Sequence, residues 1–154
     1  NSFMYGDAMA ISKISKLAGE NELEKDYISK AVRIKNLVQS KLWDSESQFF
    51  KVLPEEGSEL SDARELYGYT PWYFNMPDSG YEEAWKHLMD REGFYSPYGP
   101  TFLEQRHPEF KISYEGHECP SPGVMLSMLG VPGTGTAVAV IEVLLNARQA
   151  LMRT

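Results

Sequence analysis

Between Gly93 and Cys119 the sequence GFYSPYGPTFLEQRHPEFKISYEGHEC interleaves aromatic, proline and glycine residues with Glu104, Arg106, His107, Glu115, His117 and Glu118. Aromatic faces beside carboxylates, a guanidinium and imidazoles suit a polar, ring-shaped ligand. The rings stack on apolar C–H faces, the carboxylates accept hydroxyl protons and the guanidinium donates. A stretch without helical or strand periodicity that exceeds about 12–15 residues is more often functional or disordered than a plain connection. The aromatic content argues against disorder. Glu104, Arg106 and His107 have the types needed for an ion-paired latch at a pocket rim. The plainer alternative is an exposed loop pair worth under about 1 kcal/mol.

Two further groups upstream carry chemistry. Arg64-Glu65 could face a sugar, the carboxylate accepting two hydroxyl protons and the Arg fork donating in return. Equally, Glu65 could be the capping-box partner of Asp62, three residues earlier, at the start of a helix. Trp72 and Tyr73, beside Pro71, could stack on a pyranose or pack between helices. His117-Glu118-Cys119 contains metal-capable types, but adjacent residues of an extended chain point to opposite faces and no ligand spacing supports them, so no metal is expected. Glu115 and Glu118 are the weak candidates for a general acid or base, since such groups need only burial and a neighbour to tune them. A structural hydrogen-bonding role suits the histidine better.

These groups must be held by helices. From Phe3 to Ala18, the residues Phe3, Met4, Ala10, Ile11, Ile14, Leu17 and Ala18 share one face at 100° per residue, and Gly19 stands where a helix stops. Asn21 with Glu24 forms a capping-box pattern opening a second helix, with Leu23, Tyr27, Ile28, Ala31, Ile34, Leu37, Val38 and Leu42 as its expected buried stripe. So short a connection makes the two an antiparallel helical hairpin. Asp44-Ser45-Glu46-Ser47 reads as a turn and Phe49–Leu53 as a short extended piece. A third helix is expected from Asp62 and is kinked or restarted by Pro71. A fourth is expected from Asp78 or Ser79, with Glu82 and Glu83 in its first turn, ending near Gly93. Beyond Cys119, the residues from Pro120 to Gly135 are rich in proline and glycine, and a helix is plausible from Ala137 to Met152.

Composition narrows the partners. The 154 residues carry a net charge of −7, which speaks against a nucleic-acid backbone and gives no support for anionic membranes. One cysteine allows no internal disulfide. No stretch of about 18 apolar residues occurs. The chain opens on Asn1 directly in a helical pattern, which leads to the expectation that sequence precedes it. The compartment stays open.

Several segments resemble glycoside hydrolases of the (α/α)6-toroid type, closest to the mannosylglycerate-hydrolase-like enzymes and their processing α-glucosidase and trehalase relatives. The matching residues are NSFMYGDAMAI at 1–11, Leu42-Trp43-Asp44 leading to Phe49-Phe50, RELYGYTPWYF at 64–74, and YEEAWKHLMD at 81–90. Further matches are Gly93-Phe94 through Tyr98-Gly99-Pro100, Arg106-His107-Pro108 and YEGHEC at 114–119. The RELYGYTPWYF and YEGHEC blocks, in this order, are the specific part. In such enzymes a tryptophan-rich stretch follows YEGHEC, whereas Pro120 to Gly135 has no tryptophan. The chain has either diverged there or its reading frame is broken.

The resemblance implies an all-α chain of antiparallel helical hairpins forming part of an (α/α)6 toroid, with short extended pieces and long aromatic loops. Residues 1–119 would be the partial toroid and 120–154 a divergent segment, helical from 137. It implies an oligosaccharide or glycoside substrate with α-linked sugars, an inverting acid/base mechanism, and no cofactor. In the relatives the acid is an Asp upstream of this chain's start and the base a Glu beyond the matched region, so neither catalytic carboxylate is expected here. The residues expected to contribute sugar-binding surface are Glu65, Trp72, Tyr73, Tyr98, Arg106 and His117. Another toroid carbohydrate enzyme, an epimerase or lyase, remains an alternative because a fold alone does not fix chemistry. A non-catalytic, truncated helical module is the second alternative.

Overall fold

The computed structural model describes residues 1–97 and 100–110, together with the backbone of Ser113–Tyr114 and His117–Glu118. About half of the described residues are helical, and among them are four two-residue strands, consistent with a fragment of a helical toroid. Helix α1 (Ser2–Ala18) and helix α2 (Asn21–Lys41) form the expected hairpin. Gly19 turns the chain at φ 79°, a left-handed backbone that costs glycine nothing, and the amides of Gly19 and Glu20 close the end of α1 on the carbonyls of Lys16 and Ser15.

Helix α2 buries part of its expected stripe, Ala31 and Val38 fully and Tyr27, Ile34 and Leu42 partly, whereas α1 buries a different face from the one expected. The buried residues of α1 are all small, Ser2, Ala8, Ser12 and Ser15, and those of α2 are Ala31 and Val38. Small side chains let the two helices approach closely, and Ser12 returns its hydroxyl to the Met9 carbonyl at 2.9 Å. Phe3, Met4, Ile14, Leu17, Leu23, Ile28 and Leu37 are instead exposed, Leu17 to 90%. No side chain caps α2 either: it begins at Asn21 after Glu20, and Glu24 lies 3.9 Å from Lys16 of α1 rather than closing a capping box.

After α2 the strands β1 (Trp43–Asp44) and β2 (Phe49–Phe50) pair antiparallel, Trp43 opposite Phe50 and Asp44 opposite Phe49. Asp44 builds the turn between them, as expected. Its carboxylate accepts from the Glu46 amide at 3.0 Å and the Ser47 hydroxyl at 2.7 Å, and pairs with Lys51 at 2.9 Å.

No helix starts at Asp62. Glu65 lies extended, and a 3-10 turn (Leu66–Tyr69) runs into helix α3 (Thr70–Tyr73), whose first turn accommodates Pro71. A second 3-10 turn (Glu82–Trp85) runs into helix α4 (Lys86–Met89). Asp78 does not cap it. Its carboxylate accepts from Lys35 at 2.5 Å and Gln39 at 3.2 Å, tying the preceding loop to α2.

The core lies between β2 and the two 3-10 turns. Phe49, Tyr69, Trp72, Trp85 and Phe94 pack edge-to-face or tilted, except that Tyr69 stacks on Trp85. The hairpin joins this core through Tyr5, Ile34, Val38 and Leu42. Two last strands, β3 (Ser113–Tyr114) and β4 (His117–Glu118), pair antiparallel with Tyr114 opposite His117. The segment expected to be helical from 137 lies outside the described residues. Among the described residues no helix is long and apolar enough to cross a membrane.

Candidate functional site

Glu65 is held by a short antiparallel pairing between the segments around 64–66 and 102–104. Its backbone is extended, at φ −114° and ψ 147°, and bridges Leu103. The Leu66 amide donates to the Phe102 carbonyl at 2.7 Å and the Glu104 amide to the Arg64 carbonyl at 3.1 Å. This pairing replaces the expected capping box, because the Arg64 backbone is engaged with a segment 40 residues away rather than in a helix turn.

Side chains alternate in direction along such a segment. The Arg64 guanidinium reaches the Glu104 carboxylate, and the Arg64 amide also donates to Glu104 Oε1 at 3.3 Å. Glu104 is only 4% exposed. A second guanidinium, that of Arg106, lies 3.4 Å from Glu104 Oε2 and pairs in turn with Asp90. Four charges therefore alternate in a ladder, Arg64, Glu104, Arg106, Asp90. The buried carboxylate at its centre is compensated on both sides, as a buried charge requires. Backbone bonds from Gln105 to the Gly93 carbonyl at 2.9 Å and from Arg106 to the Glu92 carbonyl at 2.8 Å fasten the same loop.

Glu65 points the other way, into a groove of about 350 Å³ shared by Asn1, Lys51, Tyr67 and Thr70. Burial pushes its carboxyl above the usual carboxylate range, with His107 opposing the rise. Among the described residues its carboxyl has no side-chain hydrogen bond. Tyr67 stands two residues on, its ring edge-on to Phe102 at 5.2 Å. A half-buried, partnerless carboxyl in a groove can accept protons from ligand hydroxyls.

The other expected site residues are dispersed. Trp72 lies in the core, 5% exposed, against Phe50, Tyr69 and Trp85. Tyr73 is half-buried with its ring edge-on to Phe74 at 4.8 Å. Arg106 spends its guanidinium on Glu104 and Asp90. His107 stands apart from that ladder, its Nε2 3.5 Å from Asp62. His117 and Glu118 are placed by backbone alone on β4, and Tyr98 and Glu115 lie outside the described residues. Among the described residues no cluster of three or more His, Cys, Asp or Glu could hold a metal ion. Sequence reasoning missed the Arg64–Glu104 pair and the part of Asp90. Both partners were visible as charged residues, but nothing local joins positions so far apart.

The comparisons with known proteins agree with this architecture. A solved structure described as "Sialidase" superposes with a TM-score of 0.74 at 35% identity, over 92% of this chain and 13% of that one. The chain thus spans a small part of that relative's length. No curated protein matches it. The family model of the mannosylglycerate hydrolase MGH1-like glycoside hydrolase domain matches residues 1–119. The chain belongs to that glycoside hydrolase family.

Proposed function

We propose that this chain supplies sugar-binding surface to a toroidal glycoside hydrolase that cleaves α-linked sugars by an inverting acid/base mechanism. In such a mechanism one carboxyl protonates the leaving oxygen while a second, across the sugar, activates water. The described residues contribute recognition rather than that pair. The observation that carries the reading is Glu65: a half-buried carboxyl without a side-chain partner among the described residues, facing a groove in a chain of this family. Glu65 accepts sugar hydroxyl protons, and Tyr73, Tyr98 and His117 are the further sugar contacts that the family pattern implies. Trp72 supports that surface from the core, and Arg106 shapes it by fixing the loop from Asp90.

Ligand-observed NMR with methyl α-D-mannopyranoside and methyl α-D-glucopyranoside tests this on the full chain. Glu65→Gln is expected to weaken binding about tenfold, the factor equivalent to about 1.4 kcal/mol and in the range of one charged hydrogen bond. Equal binding by wild type and Glu65→Gln would overturn the reading.

A further inference from the structure

We propose that Glu104 is the positioning residue of the Glu65 site, fixing where the Glu65 carboxyl stands through its pair with Arg64. The inference rests on the sugar-binding reading for its purpose, but its geometry is independent of any ligand. The bridge of Glu65 to Leu103 is flanked on one side by Arg64 and Glu104, and on the other by the Leu66–Phe102 hydrogen bond. Glu104 therefore grips the residue next to Glu65 by both side chain and backbone: the guanidinium and amide of Arg64 reach its carboxylate, and its own amide reaches the Arg64 carbonyl.

With Arg64 held on one face of the extended segment, alternation commits Glu65 to the opposite face, where the groove lies. The buried Glu104 carboxylate makes that commitment rigid, because releasing Arg64 strands a largely buried guanidinium and leaves the carboxylate with Arg106 alone. Arg106 holds the carboxylate from behind and carries the restraint to Asp90. Of the charged and titratable groups about Glu65, His107 acts on its carboxyl, Arg64 and Glu104 flank it along the paired segments, and Asn1, with its amino group, and Lys51, paired with Asp44 at 2.9 Å, line the same groove.

The experiment follows the Glu65 carboxyl itself. In full-length chain labelled with ¹³C at glutamate carboxyls, assigned through Glu65→Gln, the Glu65 titration midpoint is read in three variants. Glu104→Gln removes the charge and Glu104→Asp keeps it. Arg64→Met/Glu104→Met removes the pair together and leaves no stranded charge, so it keeps the test open where Glu104→Gln fails to fold. Releasing the segment hydrates Glu65, so its midpoint is expected to fall toward the ordinary carboxylate value in Glu104→Gln and in the double variant. In Glu104→Asp the midpoint is expected to return part of the way. Binding of methyl α-D-mannopyranoside is expected to weaken about tenfold in parallel with the midpoint.

A Glu65 midpoint that stays at its wild-type value in the folded double variant would overturn the positioning role, whatever the sugar does. A sugar affinity indifferent to Glu65→Gln, with the midpoint still moving in the double variant, would instead leave Glu104 positioning a carboxyl and remove the sugar-binding reading.

Discussion

The Tyr69 hydroxyl donates to the Ala84 carbonyl at 2.7 Å and so joins the two 3-10 turns that frame the core. The two residues are 15 positions apart and both are buried. Burial pushes the Tyr69 phenol well above its usual range, the nearby Arg64 charge opposing only in part, so the hydroxyl stays a donor at every working pH. Tyr69→Phe keeps the ring stacked on Trp85 at 4.9 Å and deletes only this bond. The expected loss is about 1 kcal/mol, read as a lower urea midpoint with an unchanged slope.

Gly68 has no room for a side chain. A Cβ there would overlap both the Phe49 ring and the Phe50 carbonyl, and neither can yield because Phe49 is fully enclosed. Gly68→Ala is expected to destabilise the chain by about 1–3 kcal/mol, the usual cost of overpacking. Thermal unfolding followed by circular dichroism checks it, and an unchanged melting temperature would contradict the close contact.

Acid should weaken the β1–β2 turn. Burial works against the Asp44 charge, but hydrogen bonds from Lys51, Ser47 and the amides of Glu46 and Ser47 outweigh it and hold the carboxyl well below the usual range. A depressed carboxylate contributes stability that is present above its unfolded value, about 3.9, and is lost as pH falls toward the folded value. Asp44→Asn should therefore be less stable than wild type at about pH 7, with the gap narrowing by about pH 3. Urea midpoints at the two pH values measure that gap.

The exposed apolar face of the hairpin should be dispensable to the fold of this chain. Leu17 is 90% exposed, so Leu17→Lys is expected to shift stability by no more than about 0.5 kcal/mol. It should reduce self-association, because contiguous exposed apolar surface drives contact between molecules. Sedimentation velocity alongside a thermal melt separates the two effects.

The hairpin was legible because periodicity and a glycine stop are local signals, and α1 ends at Ala18 before Gly19 as its pattern implied. The buried stripe of α2 was legible in part, since Ala31 and Val38 are enclosed as its period implied, but that of α1 was not. Periodicity finds the apolar face, whereas α1 encloses Ser12 and Ser15, whose small size suits a closely packed helix face. The Asp62–Glu65 spacing resembled a capping box and failed for a non-local reason: Arg64 finds Glu104, and the backbone follows into an extended pairing. Glu65 was identifiable as a candidate by type and motif. Its groove was not, since the wall is assembled from α1, β2 and α3, which meet only in the folded chain.

The hairpin is a cantilever. Its root is Tyr5, Ile34, Val38 and Leu42, reinforced by the Asp78 anchor on Lys35 and Gln39, while the tip at Gly19 stands off along helices of about 25 Å (α1) and about 31 Å (α2). Val38 and Leu42 also line the groove that Glu65 faces. A beam fixed at one end delivers a load on its tip as a bending moment at its root. The residues that take that moment, Val38 and Leu42, are also groove residues, so amide exchange is expected to be slowest there and to rise toward the tip at Gly19.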